Sequence, residues 1–102
     1  MIARLWGGTA SIADADAYNR HFADRVAPQL KDLAGHRGAY LLRRESGGEV
    51  EFLAVTLWES LESIKGFAGP DPERAHVEPA ARAVLTRFDE TARHYEVAYG
   101  ET

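Results

Sequence analysis

His76 and His94 are the two residues of this chain best placed to act as bases near neutral pH, where an imidazole can both accept and release a proton. His76 lies in the irregular run Ala75-His76-Val77-Glu78, and loops often carry functional groups. From there it can take a proton from an acidic phenol or enol, or ligate a haem iron. His94 lies close to the end of the chain, where strand alternation sets it on one face with Ala92, Glu96 and Ala98, and Glu96 can orient its ring. For both, the competing reading is a solvated or structurally hydrogen-bonded histidine. His21, between Arg20 and Asp24-Arg25, and His36, just after Gly35, read as surface or cap residues. His76, Glu78 and His94 share no compact ligand spacing such as His-x-x-x-His, so no metal site is expected.

Trp58 offers an aromatic wall and an indole N–H, and its competing reading is plain core packing at a strand end. Arg4 and Trp6 share one face of the first strand. An arginine within a buried sheet needs an ion-pair partner or a bound anion, so Arg4 can meet a carboxylate or phenolate, or equally one of the chain's own acids. Thr56 sits beside Trp58 with small Ala39 and Ala54, and Phe67 points inward from a short helix. Small residues next to a large aromatic leave room for a flat ligand. The expected substrate-contacting set is therefore Trp58, Arg4, Trp6, Thr56 and Phe67, with His76 and His94 as the catalytic candidates.

Composition excludes more than it selects. The 102 residues make a single domain spanning residues 1–102, since one hydrophobic core is normal at this size. With 45% apolar residues and 27% charged residues the chain folds as an ordinary globule rather than a disordered tail. The absence of cysteine removes disulfides, thiol nucleophiles and thiolate metal sites. A net charge of −4 and the short Arg43-Arg44 pair argue against a nucleic-acid partner. No stretch is long and apolar enough for a membrane span or a signal-peptide core, so a cytoplasmic protein without a membrane partner is expected.

The elements that must position these residues follow from pattern. Met1–Trp6 reads as a strand ended by Gly7-Gly8. A long helix follows, capped by Ser11 or Asp14, with Ala15, Tyr18, Phe22, Val26, Leu30 and Leu33 forming one stripe. Pro28 predicts a kink or break near Ala27, and Gly35 a stop. Gly38–Glu45 and Glu49–Glu59 read as a hairpin around Ser46-Gly47-Gly48. Its predicted register opposes Ser46 to Glu49, Arg44 to Glu51, Leu42 to Leu53, Tyr40 to Val55, Arg43 to Phe52, Leu41 to Ala54, Ala39 to Thr56 and Arg37 to Trp58. Ser60 caps a short helix with Leu61, Ile64 and Phe67 inward, stopped by Gly69-Pro70. Asp71-Pro72 starts a turn, and Pro79 opens a helix with Val84, Leu85 and Phe88 on its apolar side. A last strand runs from about Thr91 to Tyr99. Both hairpin faces look buried, so a second copy of the chain is expected over the Tyr40/Leu42/Leu53/Val55/Leu57 face. The order predicts an α+β, ferredoxin-like antiparallel four-stranded sheet with helices on one face.

This order, together with Trp58-Glu59-Ser60, Phe67-Ala68-Gly69 and His94-Tyr95-Glu96-Val97, resembles the antibiotic biosynthesis monooxygenase-like family of the dimeric α/β barrel superfamily. The resemblance spans Met1 to Tyr99 and rests on a fold marker rather than on a reaction-specific motif. It implies a homodimer with two sheets packed face to face, and a pocket between sheet and helices walled by Trp58. It further implies oxygenation of a small aromatic or polyketide-like molecule without bound metal or flavin, the substrate itself donating electrons to O₂. Relatives also degrade haem, so haem with His76 as axial ligand is the alternative cofactor reading. The chain lacks the strand-one asparagine that haem-degrading relatives use. A non-catalytic dimeric binding module is the third reading.

Overall fold

The computed structural model describes residues 1–101. Strand β1 (Ile2–Ser11) leads into helix α1 (Ile12–His21), a π-helical stretch over Phe22–Val26, and α2 (Ala27–Lys31). The hairpin β2 (His36–Ser46) and β3 (Glu49–Trp58) follows, then α3 (Leu61–Ala68), α4 (Pro79–Val84), β4 (Arg87–Phe88) and β5 (Arg93–Glu96). The sheet runs β2-β3-β1, and both short strands β4 and β5 pair with the other edge of β1. Every pairing is antiparallel. The architecture is the expected ferredoxin-like α+β fold, four strands wide and not closed on itself. Among the described residues no helix is long and apolar enough to cross a membrane.

The hairpin register matches the expectation from Ser46↔Glu49 up to Ala39↔Thr56. Beyond that a bulge at Arg37 pairs His36, not Arg37, with Trp58. Gly47 and Gly48 carry φ of +59° and +81°, the left-handed backbone that a two-residue turn requires. The first strand is longer than predicted, because Gly7 and Gly8 extend it rather than ending it. They pair with Leu53 and Phe52 on β3. Their use is smallness: a Cβ on Gly8 would sit 3.3 Å from both Leu85 Cδ1 and Trp6 Cη2. Glycine here lets the helical layer close on the sheet.

Alternation then sorts the side chains. Val50, Phe52, Ala54, Thr56 and Trp58 of β3, with Arg4, Trp6 and Ala10 of β1, are buried beneath the helices. The opposite face is not buried within the chain: Tyr40 and Leu42 are 59% and 50% exposed. Ser11 caps α1, its hydroxyl accepting from the Asp14 amide at 3.1 Å. The break expected at Pro28 is a π turn, in which the Ala27 N–H reaches the Phe22 carbonyl. Proline has no N–H to continue the ladder, so the wider turn just before it absorbs the mismatch. Ser60 and Ser63 form a reciprocal capping box at α3, but Leu61 is 48% exposed rather than inward.

The C-terminal third departs most from expectation. Helix α4 stops at Val84, and Phe88 belongs to β4 because the Thr86 and Asp89 amides bond to the Thr9 and Gly7 carbonyls of β1. The last strand is shorter than predicted, Arg93–Glu96.

Candidate functional site

Between the sheet and the helices lies a cavity of about 60 Å³. Its floor is Arg4 and Trp6 of β1 with Ala54 and Thr56 of β3. Its roof is Tyr18, His21, Phe22, Val26 and Leu30, its far wall Phe67, and its mouth His76, Val77 and Glu78. The floor residues alternate along their strands, so they share the helix-facing side by construction. The roof follows the helical stripe, where Tyr18, Phe22, Val26 and Leu30 recur every four residues.

Arg4 is the most unusual group here. It is 6% exposed, yet no carboxylate among the described residues pairs with it. Its Nη2 donates to the Pro72 and Arg74 carbonyls at 3.4 and 3.3 Å, long contacts for a charged donor. Its Nε is buried with no partner. The guanidinium lies over the Phe67 ring, 5.6 Å from the centroid, and burial lowers its hold on its proton. By tying Pro72 and Arg74, Arg4 also anchors the segment that delivers His76.

Trp6 and Thr56 are already engaged. The Trp6 indole donates to the Asp89 carbonyl at 2.7 Å, and Thr56 Oγ1 accepts from the Trp58 indole at 2.9 Å. Tyr18 is buried, and desolvation raises its phenol so that it stays protonated at neutral pH. His76 is exposed, its ring edge-on to Phe67 with centroids 6.5 Å apart.

Five of the sequence-predicted site residues, Arg4, Trp6, Thr56, Phe67 and His76, therefore line one cavity. Trp58 does not. It is fully buried with Leu30 and Ile64, stacked near-parallel on Phe67 at 6.2 Å and met edge-on by His36 at 5.0 Å. His94 is not among the lining residues either. It stands on β5 directly opposite Arg4, with Nε2 buried and unpartnered. Burial, then the Arg4 charge, lowers its proton affinity, while Glu73 raises it. Two residues read as surface or cap residues are half-buried: His21 lines the cavity roof, and His36 packs on Trp58. The signal for His21 was present, since it lies three residues after Tyr18 on the same helical face. Tyr18, Phe22 and Val26 were legible only as core stripe. Among the described residues no three His, Asp or Glu side chains gather closely enough to hold a metal ion.

No protein-family model and no curated protein sequence matches the chain. Solved structures do share its fold. The haem degrader MhuD of Mycobacterium tuberculosis, solved with two haems in its active site, is 22% identical at a TM-score of 0.67, with all of both chains covered. A MhuD mutant holding two manganese protoporphyrins per active site reaches 0.71 at 23% identity, covering 100% of this chain and 99% of that one. An antibiotic biosynthesis monooxygenase, so named, from Bacillus cereus gives 0.71 at 16% identity over 100% of this chain and 95% of its own. The fold of this protein is thus that of antibiotic biosynthesis monooxygenase-like proteins.

Proposed function

We propose that this protein is a homodimeric, cofactor-independent monooxygenase of a small aromatic, polyketide-like substrate bound between sheet and helices. The observation that carries the reading is the cavity itself: apolar walls, one buried cation without a counter-ion, and a histidine at the mouth. Its support from outside is the fold shared with proteins named monooxygenases.

In this reaction the substrate supplies the electrons and O₂ is the oxidant. His76 removes the acidic proton of a phenol, enol or benzylic position at the cavity mouth. The resulting anion is held near Arg4, in a site whose low dielectric strengthens that attraction. Electron transfer from the anion to O₂ and recombination place one oxygen atom on carbon. The second leaves as water with the two hydrogens lost by the substrate. Phe67 and Trp6 flank the ring plane, and Thr56 and Tyr18 supply hydroxyls beside it. His94, behind Arg4, is proposed to adjust that cation rather than to meet the substrate.

A haem role is the second reading, favoured by the porphyrin-holding structures of the same fold. His76 would offer its imidazole nitrogen to the iron, but a cavity of about 60 Å³ does not accommodate a macrocycle. Trp6 also fills strand-one space within it.

Oxygen electrode traces with hydroquinone- and other single-ring phenol-type substrates in metal-free buffer test the proposal. Uptake above background in the wild type, reduced at least tenfold in His76→Ala, is the expected outcome. No uptake across the panel, or a Soret band on haem titration that disappears in His76→Ala, overturns it.

A further inference from the structure

Thr56, Arg4 and His94 form a single row across β3, β1 and β5: Arg4 is directly opposite Thr56 on one side and His94 on the other. In an antiparallel sheet, residues facing one another across strands point to the same side, so all three side chains point toward the helical layer. Thr56 and Arg4 border the cavity. Thr56 Oγ1 already accepts from Trp58, which leaves its own O–H to donate. Arg4 has an unsatisfied Nε and a weakly occupied Nη2, and the buried Nε2 of His94 has no partner. Buried polar groups are normally satisfied, so two unpartnered nitrogens in one row, with the Thr56 O–H beside them, describe a site shaped for something else.

We infer that the Thr56–Arg4–His94 row is a receptor for one organic oxyanion, carried on a small planar aromatic ring. The inference rests on the aromatic-pocket reading above and specifies its substrate class. Charge sets the sign, because among the described residues no carboxylate ion-pairs with Arg4, Glu78 standing apart at the cavity mouth, and an anion completes the guanidinium. The guanidinium edge also matches the two oxygens of a carboxylate. The apolar part of the cavity sets the body: Trp6, Phe22, Val26, Leu30 and Phe67 offer contact to a ring, while His21, His76 and Glu78 lie at the roof and mouth and Arg4 is the one arginine or lysine in the lining. Two sources share this oxyanion chemistry, an aromatic carboxylate and an ionised phenol, and they can be told apart.

His94 tunes the receptor from behind. The charged groups acting on it are Arg4 across the strand pair and Glu73 on the segment before His76. An anion on Arg4 offsets the charge that disfavours protonated His94. The complex therefore takes up a proton, and affinity rises as pH falls through the histidine range.

The test is binding of four probes to the full chain: benzoate, benzamide, 4-nitrophenol and 4-nitroanisole. Benzoate is expected to bind at least tenfold tighter than benzamide, with proton uptake seen by calorimetry in two buffers. If the ionised phenol is the preferred form, the nitrophenolate absorbance develops at a lower pH on the protein than in buffer, its proton going to solvent. Arg4→Met and Arg4→Lys are expected to lose at least tenfold in acid affinity. Their circular dichroism reports whether they fold, and the acid-against-amide comparison needs no variant at all. His94→Gln is expected to retain binding but lose the proton uptake. Equal binding of acid and amide together with an unshifted nitrophenol titration, or full oxyanion affinity in folded Arg4→Met, overturns the inference. Binding of the neutral probes alone leaves the aromatic pocket standing and removes only the oxyanion receptor. If no probe binds and no oxygen is consumed, both readings fall.

Discussion

Thr56 shows how one hydroxyl can serve both core and cavity. Its Oγ1 is the acceptor for the indole of Trp58, which is otherwise enclosed by apolar residues. Thr56→Val keeps the shape and strands that buried N–H, which is expected to cost about 1–3 kcal/mol in urea denaturation. Trp58→Ala is expected to cost more, about 3–5 kcal/mol, because a large cavity opens in the core. The sequence allowed a tryptophan beside small residues to be read as a ligand wall. It could not reveal that a same-face neighbour two positions away captures the indole, because that depends on a rotamer and not on spacing. Burial lowers the proton affinity of both His36 and His94 below that of a free histidine. The unfolded chain therefore binds more protons, and stability is present above the ordinary histidine value of 6.5 and is lost as pH falls below it. Urea midpoints recorded between about pH 7.5 and 5 should decline, and His36→Gln should flatten part of that slope; an unchanged slope would contradict the assignment.

Gly35 joins the helical layer to β2, with a φ of +84° that disfavours any side chain. A Cβ there would also lie 2.4 Å from Ser63 Cβ, on the first turn of α3. Gly35→Ala therefore meets both backbone strain and a clash, and its Tm is expected to fall by several degrees or more, corresponding to at least about 1–2 kcal/mol. The helix stops earlier than the sequence reading, at Lys31 with Asp32 as its cap, so Gly35 shapes the turn into β2 rather than the helix end; there, as in the Gly-Gly hairpin, glycine is used for its backbone freedom. Gly7 and Gly8 misled for the complementary reason: they are small where Leu85 and Asp89 approach β1, and the approaching residues lie more than seventy positions away. The π turn over Phe22–Val26 was visible only as a break at Pro28. The extra residue in that turn decides which side chains roof the cavity. The short strands β4 and β5 were hardest to read, since two and four residues carry almost no periodic signal and are set by pairing with β1.

For the molecule as a whole, the uncovered side of the sheet is the feature with the widest consequence. Tyr40 and Leu42 of β2 and Tyr95 of β5 are each at least half exposed, and Leu53, Val55 and Leu57 of β3 lie half-buried between them. The helix-facing residues of the same strands are buried, so this apolar face is not the accidental exposure of one side chain. The face is continuous, and its strands are the ones that carry the cavity floor on their reverse side. A second copy packed here would stiffen β1 and β3 from behind, holding Arg4, Trp6, Ala54 and Thr56 at fixed separations without touching the ligand. The 11.3 kDa chain is accordingly expected to sediment at twice its mass at micromolar concentration. Val55→Glu places a charge at the centre of the face and is expected to yield a folded monomer, since Val55 points away from the chain's own core. That monomer should bind aromatic probes more weakly although no cavity residue has changed. A wild-type protein that sediments as a single chain, or a Val55→Glu monomer with undiminished affinity, would show that the cavity floor needs no support from behind.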